Sequence, residues 1–181
     1  MARRIYKALL GTLLVTILSL SPGTLFGASK NFQTLLQERR VNLWVEGEAL
    51  GDLMIGSRGQ MEFIYVDKPL IDRARKEGWG TVPDWFRKEC QHFGSPELKG
   101  KVLFVVRYKA LLPWDFSPEE LRFGEYSVIW KDVLTNKAFF PYGEIPSGAQ
   151  GDFAVGISRG TSKSLAIAYG DYEVPFTFPG R

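Results

Sequence analysis

The chain has 181 residues, of which 45% are hydrophobic, 14% aromatic and 24% charged. That is a globular composition, too apolar for a disordered chain and without a fibrous repeat. A single Cys excludes a disulfide framework within the chain, and a single His leaves little material for metal or acid–base chemistry.

Arg3, Arg4 and Lys7 precede an uncharged stretch, Ala8 to Ser29, whose densest apolar run is Ala8 to Leu20. Ser21-Pro22-Gly23 and the small residues Gly27, Ala28 and Ser29 close it. A basic flank, a short apolar core and a small-residue exit describe a secretory signal peptide over residues 1–29. The exit is an imperfect cleavage site: a cut after Ser29 sets Gly27 at −3, whereas a cut after Ala28 sets bulky Phe26 there. An uncleaved anchor over residues 5–26 is the alternative, although the core run falls short of the roughly 18–20 apolar residues that span a bilayer. Both readings place the remainder outside the cytoplasm, periplasmic or secreted, because the basic flank stays inside. The Arg3-Arg4 pair lacks the fuller motif of twin-arginine export and reads as an ordinary basic flank.

The chain has 23 basic and 20 acidic residues, and the three basic residues of the leader account for the whole excess. Residues 30–181 are therefore formally neutral. They lack the basic field of a general nucleic-acid binder, so no nucleic-acid partner is expected.

After the leader, Phe32, Leu35 and Leu36 have the spacing of a short amphipathic helix. Val41, Leu43 and Val45 alternate with polar residues and predict a half-buried strand. Gly47, Gly51, Gly56 and Gly59 predict turns, and Met61–Val66 a second strand. Residues 67–99 differ. Pro69–Glu77, closed by Gly78, and Pro83–Phe93, closed by Gly94, each open with Pro and predict two helices carried as an insertion. Lys101–Leu111 predicts a long strand, and Pro113–Phe116 a loop followed by a turn that Ser117 caps. Further strands are expected at Tyr126–Lys131, Ala138–Tyr142, Phe153–Ser158, Ser164–Tyr169 and Glu173–Phe178, with Pro175 marking an edge.

Short strands without intervening helices exclude a parallel α/β sheet. The expected fold is mainly β: an antiparallel sandwich of seven to nine strands, immunoglobulin-like in layout, forming one domain over residues 30–181 with a two-helix insertion at about 67–99.

Gly156-Ile157-Ser158-Arg159-Gly160 matches the G-x-S-x-G pattern of hydrolase elbows. That motif requires a following helix and a later His, whereas a strand pattern follows here and His92 comes earlier, so a hairpin turn is the simpler reading. Cys90 and His92 point apart on a helix, and no further His or Cys completes a zinc site. Cys90 falls on an apolar stripe and reads as a buried thiol, with an intermolecular disulfide or a reactive thiol as the alternatives. The acidic pairs Glu46/Glu48, Glu119/Glu120 and Asp171/Glu173 read as solvated surface. No catalytic set, metal site or cofactor site is expected.

Aromatic residues are in surplus. Trp79, Trp85 and Phe86 in the helical insertion, with Trp114 and Phe116 in the following loop, are the candidate binding residues, either as stacking platforms or as anchors for a partner. Closure of the sandwich is the competing explanation for the same rings. Trp44 and Trp130 are assigned to the core. The expected function is that of an exported, non-enzymatic binding or structural domain whose partner is a protein or glycan of the cell envelope. An exported carboxylate-dependent polysaccharide hydrolase and a carrier of a small apolar ligand are the alternatives.

Overall fold

The computed structural model of the protein describes residues 30–51, 53–158 and 160–180. The expected leader, with its anchor alternative over residues 5–26, lies outside the described residues. In chain order the strands are β1 (Arg40–Val45), β2 (Glu48–Leu50), β3 (Leu53–Ile55), β4 (Gly59–Val66), β5 (Lys101–Ala110), β6 (Trp114–Phe116), β7 (Leu121–Phe123), β8 (Tyr126–Ser127), β9 (Gly143–Ile145), β10 (Gln150–Ser158), β11 (Ser164–Tyr169) and β12 (Tyr172–Thr177). The α-helices are α1 (Phe32–Gln37), α2 (Lys68–Glu77) and α3 (Asp84–Glu89).

The protein is mainly β, and its antiparallel sheets do not close into a barrel. A central sheet runs β1-β4-β5-β10 and a second runs β12-β11-β7-β8, while β2-β3 and β6-β9 form two-stranded ribbons. The two large sheets face each other through aromatic rings. Phe104 meets Phe123 at 4.9 Å and Phe176 at 5.3 Å between ring centroids, and Phe63 meets Phe123 edge-on at 5.9 Å. Large rings fill the space between sheets with area that few aliphatic residues supply. Pro175 does lie on an edge strand, β12, where its missing N–H breaks no ladder.

The helical insertion joins β4 to β5, which are hydrogen-bonded neighbours, so the chain leaves the central sheet and returns beside its departure point. It folds flat over the outer face of that sheet. Asp67 caps α2 by accepting from Leu70 N at 3.1 Å, and Gly78 closes it at φ 91°. α1 joins the same layer: Phe32 packs edge-on against Phe86 at 5.1 Å, and its N–H donates to Glu77 Oε1 at 2.9 Å. Buried Arg39 ties the start of the sheet to α2 with two bonds to the Asp67 carboxylate, at 2.8 and 3.0 Å, and a third to Leu35 O at 2.9 Å. A second core of Ile64, Val66, Leu103, Val105 and Ala154 against Leu70, Ala74 and Phe86 results. The molecule is therefore layered helix, sheet, sheet.

Several elements differ from expectation. Trp114–Phe116 is a strand, β6, paired with β9, rather than a loop. Leu121–Phe123 is the strand β7, and Glu48–Leu50 pairs with Leu53–Ile55 as β2 and β3 where only turns were expected. The expected strand Ala138–Tyr142 is instead a single 3-10 turn, Lys137–Phe139, followed by extended chain. The strand expected at Tyr126–Lys131 stops at Ser127, because the Asp132 carboxylate draws the chain into a turn by accepting from Ile129 N at 3.1 Å. Helix α3 ends at Glu89, and Cys90–His92 continues as a 3-10 turn. Ser117 makes no side-chain cap, its hydroxyl turning to Glu119.

Candidate binding cleft

The outer face of the central sheet changes character halfway along its strands. Cross-strand register sets Ile64 beside Val105 and Val105 beside Ala154, apolar residues under the helices. Two residues further along the same face, Glu62 lies beside Arg107 and Arg107 beside Asp152. The next row is Trp44, Gln60, Lys109 and Gln150. With strands about 4.8 Å apart and 3.3 Å per residue, these two rows make a polar floor about 14 Å wide and 7 Å long. The helices stop short of it, leaving a cleft of about 380 Å³ walled by Trp85 of α3.

Arg107 is the fixed point of this floor. Its Nη1 donates to Glu62 Oε2 at 2.8 Å, and its guanidinium lies 4.4 Å from the centroid of the Trp85 ring. A guanidinium held over an indole is attracted by the negative π-face, and the planar group is fixed in orientation. Glu62 is held in turn by Arg40, whose Nη1 donates to its other oxygen at 2.8 Å. The remaining N–H groups of Arg107 have no hydrogen-bond partner among the described residues, and neither does the Lys109 ammonium.

The far wall is built around Asp152. Lys88 of α3 reaches it at 3.3 Å and the buried Glu89 carboxylate at 3.0 Å. The hydrogen bond to Glu89, with the charges of Glu89 and Asp152, holds the Lys88 ammonium above its usual range. Glu89 also accepts from the Thr135 hydroxyl, which in turn accepts from Ala154 N at 2.8 Å, so α3 is pinned to the edge of β10. Tyr108 leans over β10 because Gly151 has no side chain; a Cβ there would lie 2.7 Å from the Tyr108 hydroxyl. Tyr108 alternates with Arg107 and Lys109 and so lies on the inner face of the sheet, its ring near Phe116 and Phe153; burial, reinforced by the Asp152 charge, raises its pKa.

The five aromatic candidates separate. Trp85 lines the cleft, half-buried over Arg107. Trp79 is half-buried in a different crevice, between α2 and α3. Phe86 is completely buried beneath the helices. Trp114 and Phe116, at 2% and 0% exposure, lie inside the core against Tyr169, so neither supplies a surface platform. Their alternation about Asp115 carried the signal of a strand, masked by the flanking Pro113 and Pro118. Trp44 stands half-buried on the polar face rather than in the core, and Trp130 is half-buried in a turn.

The other motifs fall apart as sites. Ser158 ends β10 beside Lys101, and the chain then crosses to β11 in the second sheet, a link between sheets rather than a hairpin or an elbow before a helix. The Ser158 hydroxyl bonds Tyr126, which donates to Asp132 at 2.7 Å. Burial acts against ionisation of Asp132, yet bonds from Lys101, Tyr126 and Ile129 N together outweigh it and hold the carboxyl below its usual range. Cys90 is buried, with its thiol donating to Arg87 O at 3.5 Å.

Sequence reasoning missed two groups. One is the polar rows themselves. The other is an exposed patch of Ile129, Phe139 and Tyr142, the last two at 70% and 65% exposure, with Trp130 5.4 Å from Tyr142. No protein-family model matches the chain, and no curated protein or solved structure matches it.

Proposed function

We propose that this protein is an exported, non-enzymatic binding domain that holds a polar ligand of the cell envelope, foremost a glycan, in the cleft beside Trp85. One observation carries the reading: Arg107 is locked by Glu62 and Trp85 while its other donors face an open polar floor. Donors fixed in advance bind hydroxyl or anionic oxygens without a further ordering cost. The Gln60 and Gln150 amides add neutral donors and acceptors of the kind that sugars use. Export is supported by the leader pattern of residues 1–29. The immunoglobulin-like layout belongs to the same proposal and is supported by two facing antiparallel sheets of four strands each.

The hydrolase reading would use Glu62 and Asp152, which share the cleft. Both are engaged by cations, Glu62 by Arg40 and Arg107 and Asp152 by Lys88, and a proton-donating acid needs a carboxyl without such partners. A protein partner is the second reading, favoured by the exposed rings of Phe139 and Tyr142.

Cosedimentation of the full chain with insoluble envelope polysaccharide tests the proposal. The expected result is saturable retention without release of reducing ends, weakened about tenfold by Arg107→Gln, the loss of one charge-assisted contact. Steady release of reducing ends, abolished by Glu62→Gln, would establish the hydrolase instead. Equal retention of Arg107→Gln and the parent chain would remove the cleft from the account.

A further inference from the structure

We propose a second site: the crevice between α2 and α3 binds a small amphipathic anion, its apolar body between Trp79 and Phe93 and its head group on Arg75 and Arg87. The crevice holds about 320 Å³ and shares no lining residue with the cleft on the central sheet. Helical spacing builds it. Ile71 and Arg75 are four residues apart on α2, so they lie on one face, and Trp79 follows just beyond Gly78. From the other side come Arg87 of α3, Cys90 one turn later, and Phe93.

Chemistry sorts these residues by depth. Ile71 and Cys90 are buried and form an apolar floor, while Trp79 and Phe93 are half-buried walls that the core covers on one side only. Around the rim the charge is unbalanced. Arg87 bridges Asp84 and the carbonyl of Trp79, the latter at 3.5 Å, but the Arg75 side chain makes no hydrogen bond or ion pair among the described residues. Among the described residues, Asp84 is the one carboxylate that these rim guanidinium groups contact, and its side chain is 88% exposed. An apolar floor with an unmatched cationic rim complements a molecule with one anionic end. The volume lies at the small end of ligand sites, which suits a compact molecule rather than a polymer. The core between the sheets is filled with rings, so a small apolar body finds room in surface crevices such as this one rather than between the sheets.

Cys90 is the sole cysteine of the chain and sits in the floor, so its alkylation reports occupancy. The test uses the full chain with sodium octanoate as probe, and octan-1-ol and octyltrimethylammonium as its neutral and cationic counterparts. Iodoacetamide modification of Cys90 at pH 9 is followed by mass spectrometry, with tryptophan fluorescence on the same samples. Octanoate is expected to slow modification at least fivefold, with saturation. The alcohol should need about tenfold more for the same effect, the difference of one charge-assisted contact, and the cation should give none. Arg75→Gln, at an exposed position, should raise the octanoate half-saturation about tenfold and leave the alcohol unchanged. Equal protection by all three amphiphiles, no protection by octanoate, or an Arg75→Gln variant that responds like the parent chain would each overturn the assignment.

Discussion

The two halves of the outer face of the central sheet share the strands β4, β5 and β10 and meet opposite fates. Along β4, Gln60-Met-Glu-Phe63 alternates polar and apolar, whereas Ile64-Tyr-Val66 is apolar on both faces. β5 makes the same change from Leu103-Phe-Val-Val106 to Arg107-Tyr-Lys109, and β10 from Gln150-Gly-Asp152 to Phe153-Ala-Val155. A strand buried on both faces reads as a continuous apolar run, and one with an open face alternates. All three strands switch at the same level, and that level is where the helical layer ends. The difference teaches that the helices and the cleft are one feature: the rim of the layer that covers one half is the wall of the site in the other.

Adjacent residues of α3 give the sharpest way to break the comparison. Phe86, fully buried beneath the helices, should cost about 3–5 kcal/mol when changed to Ala. Trp85→Ala should cost far less stability, yet release Arg107 and weaken retention on polysaccharide. Urea titration of both variants separates the two effects, and a Trp85→Ala variant as unstable as Phe86→Ala would erase the boundary. The same contrast runs along β4. Ile64→Ala should lose about 2–4 kcal/mol, and Gln60→Ala, on the same face four residues earlier, no more than about 0.5 kcal/mol.

Smaller effects follow from titration. Because the Asp132 carboxyl lies below its usual range in the folded protein, its contribution is complete above the unfolded value of about 3.9 and is lost as pH falls through the depressed value. Stability measured between pH 5 and pH 2 should therefore decline, and Asp132→Asn should flatten that decline. Cys90, in the covered half, moves the other way. Burial pushes its thiol from 9.0 to about 11, so its contribution is complete below pH 9 and disappears as pH rises towards 11. A Cys90→Ala variant should show a shallower alkaline decline in the same urea titrations.

Much of this was legible in the sequence. The long strands β4, β5, β10 and β11 announced themselves by β-branched and aromatic runs, and α2 by Pro69 and Gly78. The short strands were not legible: β6, β7 and β9 have three residues each, too few for a period, and their identity comes from partners distant in the chain. The turn at Trp130–Asp132 depends on the buried Asp132 carboxylate, whose partner Lys101 lies far back on β5. The cleft was half legible. Trp85 stood out as an aromatic residue, but Glu62, Arg107 and Asp152 became a site only when register set them side by side. The switch from alternating to continuous apolar pattern was present in all three strands and would have located the site had it been compared between them.

Oxidative footprinting of the full chain, free and bound to envelope polysaccharide, addresses the central claim most directly. Trp85 reports the cleft, Phe139 and Tyr142 the exposed aromatic patch, and Trp114 the interior. The account predicts protection of Trp85 on binding, with Phe139 and Tyr142 unchanged. Protection confined to Phe139 and Tyr142 would contradict it and move recognition to the opposite reading, a surface that the open half of the sheet does not share.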